Sequence, residues 1–228
     1  MQRCKSCSVQ PMQGPDIVVI HVDDALLVLE KPSGLLCVPG RGEEKQDCLS
    51  ARTQVHFPDA LVVHRLDMAT SGLLLMARGA TAQQELNHAF ASRSVHKRYV
   101  AVVDGLLEPP TKHPGEWGII DLPILLDWPN RPRRIVHPDG KPSTTCWRVI
   151  SQDRVTQTTR VELEPITGRS HQLRLHLQTL NHPILADALY GTASSQAKAD
   201  RLLLHATQLE LLHPVSQKKL VFSSSTPF

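Results

Sequence analysis

The sequence lacks any long apolar run. Nowhere do about 18 uninterrupted hydrophobic residues occur, the length a membrane-spanning helix needs, so no membrane contact is expected. The opening stretch, MQRCKSCSVQPMQGPD, lacks the apolar centre of a secretory signal. Cysteine is scarce. Cys4 and Cys7 form a CxxC, but no second pair follows at zinc-finger spacing, and Cys37, Cys48 and Cys146 are scattered. An odd, unpatterned set of five argues against a disulfide framework and points to reduced thiols in a reducing, cytoplasmic compartment. The twelve histidines form no HExxH or similar spacing, so no metal is expected. Internal repeats and low-complexity linkers are absent too. Nor does one charge dominate: 25 Lys and Arg face 22 Asp and Glu, a formal +3 that permits a polyanionic partner without demanding one.

What remains is ordinary globular material, 41% hydrophobic and 21% charged over 228 residues, ample for one core. Residues 1–15 are polar, carry Pro11 and Pro15 and show no periodicity. They are expected to be a disordered tail, with residues 16–228 forming a single domain. Short aliphatic runs predict strands. These are DIVVIHV and ALLVLEKP, split by a turn-like Asp23-Asp24; ALVVH and GLLLMAR; RYVAVVDG; the pair TCWRVIS and TTRVELEPI; and the closing RLLLHATQLELLHP and KKLVFSS. Helices are predicted in QDCLSARTQVHF, capped near Asp47 and stopped by Pro58, and in TAQQELNHAFASRS, with Leu86 and Phe90 on one face. A third is predicted in SHQLRLHLQTL, where Ser170 is the expected N-cap and Leu173, Leu177 and Leu180 recur at i, i+4 and i+7. Residues 106–145 are proline-rich and are expected to hold short strands and loops. Strands outnumber helices without βαβ alternation, so the predicted class is α+β, built on a mixed, largely antiparallel sheet.

Four groups carry candidate chemistry. HRLDMATSG, residues 64–72, sets Arg65 and Asp67 in a loop between two strands, longer and more charged than a plain turn of Gly, Asn, Asp or Pro; Asp67 is either a reagent or a turn residue that accepts from loop amides, with Arg65 solvated. ITGRSHQLRLH, residues 166–176, places Arg169 just before a helix start. If Arg169 meets Asp67, the guanidinium favours the ionised carboxylate and holds it by a charge-assisted bond; otherwise it is a structural pair or a solvated helix-end arginine. HKRYVAVV brings Tyr99 into a strand behind His96, Lys97 and Arg98, as a core residue or as a ring that meets a base. DWPNRPRRIVHPDGKP carries Trp128, Arg131, Arg133, Arg134 and Lys141 on a backbone stiffened by proline, a composition suited to nucleic acid.

HRLDMATSGLLL, HKRYVAVV, LEPITGRSHQLRLHL with HPILADALYG, and RLLLHA, in this order, resemble the RluA-type pseudouridine synthases over about residues 17–228. KPSGLLCVPGR and DLPILLDWPNRPRR support the likeness. The resemblance implies a mixed-sheet core with flanking helices and no cofactor. It implies Asp67 as the catalytic aspartate, Tyr99 as the active-site tyrosine that contacts the base and removes a proton, and Arg169 as the arginine paired with the aspartate. Leu173 then lines the uracil pocket, and Arg65 fills the space left by a flipped nucleotide. Arg131, Arg133 and Arg134 are expected to bind substrate. The implied partner is RNA, with 23S rRNA and tRNA anticodon stem-loops the expected targets of a monomeric enzyme without an S4-like domain. Two departures stand out: Ser143 occupies a place where a small apolar residue is expected, and LADALYG varies from the commoner LGDxLYG.

Two other functions fit parts of the pattern. A retaining glycoside hydrolase needs a second carboxylate about 5 Å from the first, for which Glu162 and Glu164 are the only proposals. A non-catalytic RNA-binding or ribosome-assembly protein of the same fold would be expected to have lost Asp67 or Tyr99, and both are present.

Overall fold

The computed structural model describes residues 13–14, 17–110 and 116–228. The expected disordered tail and the Cys4–Cys7 pair lie outside the described residues, apart from Gln13–Gly14.

Aliphatic runs become strands as their patterns direct. Leu26–Lys31 (β3) and Ser71–Arg78 (β5) are apolar almost throughout, and both are buried on two faces. Alternate residues serve different layers. Leu27, Leu29, Leu74 and Met76 join one core with Tyr99, Leu173 and Leu177, while Leu26, Val28, Leu73 and Leu75 join a second with Ala82 and Leu86. Helix α1 (Leu49–His56) brings Leu49 to the first core; α2 (Ala80–Ala91) covers the second. His96–Asp104 (β6) and Thr158–Pro165 (β11) instead alternate buried with more exposed positions, as strands with one wetter face do.

The remaining strands are Gln13–Gly14 (β1), Ile17–Val22 (β2), Ala60–Val62 (β4), Gly118–Asp121 (β7), Ile124–Leu126 (β8), Arg134–Val136 (β9), Thr144–Asp153 (β10), Leu204–Leu212 (β12) and Lys219–Ser223 (β13). Eleven form one sheet, in the order β1-β2-β3-β5-β12-β6-β11-β10-β7, with β4 added to β5 and β13 to β12. Within it only β5 and β12 run parallel, so the expected mixed, largely antiparallel sheet is found. The β8–β9 hairpin stands apart as a two-stranded sheet. It occupies the proline-rich stretch where short strands were expected.

The parallel seam positions the site. Ala206 of β12 pairs with Gly72 on one side and with Tyr99 on the other. Gly72 has φ +108, and a Cβ there would lie 2.3 Å from the Ala206 carbonyl oxygen, so only glycine lets the two strands meet. Asp67, five residues upstream, is thereby delivered beside the strand that carries Tyr99.

One expected helix cap is corrected, and another is placed one residue on from Asp47. Helix α3 runs Gln172–Thr179, and its N-cap is His171, left-handed at φ 59, rather than Ser170. Gln172 explains the shift. Its side-chain oxygen accepts from the Arg169 N–H (3.0 Å) and the Thr167 hydroxyl (2.7 Å), which occupies the turn that Ser170 would have capped. Helix α1 is capped by the Cys48 sulfur, while Asp47 pairs with Arg52 at 2.6 Å. A short fourth helix, Ala193–Gln196 (α4), was not expected from the sequence.

Candidate active site

Residues 63–70 cross the end of the sheet between β4 and β5 and line a cleft of about 800 Å³. The loop is held from beneath by KPSGLLC, residues 31–37. Lys31 is fully buried, and its ammonium donates to the carbonyls of Pro32 (2.8 Å), Leu35 (2.7 Å) and Met68 (2.9 Å). Burial pulls its pKa down to about 8. The Gly34 N–H also reaches the Met68 carbonyl (2.9 Å), and the Ser33 hydroxyl donates to Ala69 (2.6 Å). Cys37 accepts from the Leu66 N–H at 3.2 Å, and burial pushes its thiol up, so it serves as a strut. His64 accepts the Leu75 N–H through Nε2 (2.9 Å) and stacks on Phe90; burial lowers its pKa to about 3 and keeps it neutral. Ser71, at the start of β5, contacts His205 Nδ1 (2.8 Å).

Asp67 is the only carboxylate among the described residues lining the cleft. Its Oδ2 accepts from Arg174 Nη1 at 3.3 Å. The expected contact with Arg169 is therefore corrected. Arg169 is exposed at the rim, and its Nε reaches the Pro142 carbonyl at 3.4 Å. Arg174 is enclosed because α3 is buried all round from Gln172 to Leu177. Its Nε and Nη2 form a bidentate pair with the fully buried Asp187, at 2.8 and 2.7 Å. Asp187 in turn accepts the N–H groups of Leu189 and Tyr190. The guanidinium beside Asp67 is thus fixed by a second, wholly enclosed carboxylate, and these hydrogen bonds keep it charged.

Tyr99 and Leu173 both line the cleft and are both buried. Burial first, then the charge of Asp67, pushes the Tyr99 phenol well up, so it stays protonated. Arg65 is exposed on the cleft wall. Of the three arginines expected on the basic segment, Arg134 lines the cleft, Arg133 packs 5.7 Å from the Tyr190 ring, and Arg131 lies 4.1 Å over Trp128, outside the cleft lining. Tyr190 joins hairpin to cleft: its hydroxyl accepts the Arg134 N–H (2.8 Å) and contacts His171 Nδ1 (2.9 Å). Ser143, noted as a departure, is fully buried and donates to the Lys141 carbonyl at 2.8 Å.

Lys31, Arg174, Asp187 and Tyr190 were not singled out from the sequence as site residues. The signal available for Asp187 was a lone acid inside the apolar stretch PILADALYG. The glycoside hydrolase pattern fails on strand alternation. Glu162 and Glu164 point away from the cleft and pair with Arg98 and Arg148 on the opposite face of the sheet. No cluster of His, Cys, Asp and Glu fit to hold a metal occurs among the described residues, and no helix there is long and apolar enough to cross a membrane.

Known proteins resemble this chain in sequence and fold. A family model described as RNA pseudouridylate synthase matches residues 25–179. The dual-specificity RNA pseudouridine synthase RluA of Escherichia coli O6:H1 is 45% identical over 219 residues, covering 96% of this chain and 97% of that protein. Its counterpart in Vibrio parahaemolyticus is 46% identical over 210 residues, covering 90% and 82%. Human RNA pseudouridylate synthase domain containing 4 superposes with a TM-score of 0.71 at 25% identity, over 92% of this chain and 88% of that one. Human RNA pseudouridylate synthase domain containing 1 gives 0.76 at 24% identity over 96% and 87%, a likeness of fold. The cleft with one carboxylate, the mixed sheet and these likenesses agree: the chain belongs to the RluA family of RNA pseudouridine synthases and is an isomerase acting on RNA.

Proposed function

We propose that this enzyme isomerises uridines in 23S rRNA and in tRNA anticodon stem-loops, working as a cytoplasmic monomer without a cofactor, with Asp67 as its reagent. One observation carries the assignment of Asp67: it is the sole carboxylate of the described cleft, it is beside a locked guanidinium, and Tyr99 and Leu173 form the apolar wall. The dual target rests on the relatives named for it.

The reaction breaks C1′–N1, turns the uracil and joins C1′ to C5. One proton leaves C5 and one arrives at N1, so atoms balance with no redox step. Asp67 acts at the sugar, either adding to C1′ as charge develops there or taking a proton from C2′. Tyr99 faces the base. Its phenol rests protonated, so it can take the C5 proton only as it passes its own onward; Asp67, in the same cleft, is the nearest candidate by charge. Arg174 holds the carboxylate, and Leu173 packs against the uracil. Arg65 takes the place of the extruded nucleotide, whose removal from a stack costs a few kcal/mol, less in a loop. Arg131, Arg133, Arg134 and the rim residue Arg169 grip the RNA backbone.

The test maps pseudouridine in 23S rRNA and bulk tRNA incubated with purified protein, with Asp67→Asn alongside. New product in both RNAs, absent with a variant that still binds RNA, is the expected outcome. Product in one RNA only would narrow the target. RNA binding with no product would overturn the catalytic role in favour of a non-catalytic RNA-binding protein.

A further inference from the structure

The cleft has a cationic side that the reaction does not use. Strand β6 alternates, so Lys97 and Tyr99, two residues apart, face the same way, about 7 Å from each other along the strand. His96 and Arg98 face the other side, where they meet Glu164 and Glu162. Lys97 receives no such partner. It lines the cleft near His64 and Phe90, and its side chain makes no hydrogen bond or ion pair with any described residue. Its ammonium lies 5.9 Å from the centre of the Phe90 ring. Burial lowers its pKa, and the neutral His64 at its side offers no compensating charge. A half-buried ammonium without a counter-charge is costly to keep, and a lysine with no such need could extend to water.

The second cation arrives by a different route. Helix α2 ends in a Schellman turn: the Ser94 N–H reaches the Ala89 carbonyl (3.0 Å) and the Arg93 N–H reaches Phe90 (3.2 Å). The residue at the left-handed position of this turn is ordinarily glycine. Here it is Arg93, at φ 62. The turn projects its exposed, unpartnered guanidinium onto the cleft wall next to Ala91. A backbone position that favours glycine thus carries a cation, and that cation lines the same cleft as Lys97.

We propose that Lys97 and Arg93 form a phosphate subsite that takes the RNA backbone on the α2 side of the target uridine. The inference rests on the cleft as the place of uridine isomerisation. Arg134 of the β8–β9 hairpin lines the same cleft, so the strand would meet cations from both elements. Phosphodiester is the chemistry that fits: two cations of different depth, no hydrogen-bond acceptor demanded, and a family whose substrate is RNA.

The test measures binding of a stem-loop RNA across a salt series, for wild type, Lys97→Met, Lys97→Arg and Arg93→Gly. Each lost phosphate contact should lower the slope of log affinity against log salt by about 0.7 to 0.9. Lys97→Met should bind about tenfold more weakly, the size of one charge-assisted contact, and Lys97→Arg should recover most of this. Arg93→Gly separates binding from folding: it relieves the backbone, so its melting temperature should hold or rise while its affinity falls. Neutral methylphosphonates placed one at a time in the RNA should include a position that weakens wild type but not Lys97→Met. Folded variants with the wild-type slope and the wild-type methylphosphonate pattern would overturn the subsite. A wild type that binds RNA without forming pseudouridine would instead strike the enzymatic reading, since the subsite is tested by binding alone.

Discussion

Asp67 works among cations. Arg65, Arg93, Lys97, Arg134, Arg169 and Arg174 share the described cleft lining with it, and no second carboxylate does. That asymmetry suits a reaction in which one acid acts on sugar bonded to a polyanion, and it removes the paired-acid chemistry of glycoside hydrolysis. The neighbouring tyrosine is the more demanding residue. A phenol pushed up by burial and by Asp67 is a poor base at rest and a strong one once its proton has somewhere to go. Tyr99→Phe keeps the ring and the packing but removes that path. Single-turnover pseudouridine formation at saturating RNA should slow by about 10²- to 10⁴-fold, the usual reach of a proton-transfer group, while RNA affinity holds. A variant within a few fold of wild type would leave Tyr99 a wall of the pocket and nothing more.

At the level of elements, the site is two loops tied together by a buried ammonium and by bonds from Ser33, Gly34 and Cys37. KPSGLLC and HRLDMATS meet through Lys31, whose three donors are all spent on carbonyls, one of them Met68 next to Asp67. Lys31→Met fills the same space and strands those carbonyls. Stability should fall by about 2 to 4 kcal/mol, on the scale of buried acceptors left without donors, measured by urea unfolding. Turnover should drop more than RNA binding does. A loss under about 0.5 kcal/mol, the range of ordinary surface changes, would show that Ser33 and Gly34 suffice. This tie also marks what the sequence could and could not tell. The strands were legible because aliphatic runs of β length have few other uses, and HRLD stood out as a charged loop between two of them. The pairing of arginines was not. Arg169 and Arg174 lie five residues apart around one helix start, Arg169 in the exposed turn before α3 and Arg174 in its buried body, where Asp187, far along the chain, holds it. The cap at His171 escaped for a similar reason, because Gln172, rather than Ser170, ties the preceding turn to Thr144 and Thr145 of β10.

Across the whole molecule, two antiparallel blocks join at a single parallel seam, β5 against β12, and the loop that carries Asp67 leaves from that seam. Two paired residues are a narrow join, and side chains reinforce it. His205 Nε2 donates to the Ser224 hydroxyl (2.8 Å), which donates to Glu30 of β3 (2.8 Å), while His205 Nδ1 accepts from Ser71 of β5. Arg201 donates to the same Ser71 oxygen. With the imidazole neutral, Ser71 donates to Nδ1; a proton on Nδ1 would reverse that bond and turn the Ser71 hydroxyl hydrogen to the longer contact with the Leu204 carbonyl, 3.5 Å away. Burial, with Arg201 beside it, lowers the His205 pKa to about 4 from 6.5, even with Glu30 3.6 Å away. The sign follows. Above pH 6.5 neither state binds the proton and the histidine adds no pH dependence. As pH falls from 6.5 to about 4, the unfolded chain takes up a proton that the native state refuses, so stability is lost across that window and levels off below it. His205→Gln cannot titrate. Unfolding free energy measured between pH 7 and 4 should therefore fall more steeply for wild type than for the variant. His64, also depressed, is present in both proteins, so the difference between the two curves belongs to His205. Parallel curves would mean that the imidazole accepts its proton in place, with Glu30 as the stabilising partner, and that the seam holds without a neutral histidine.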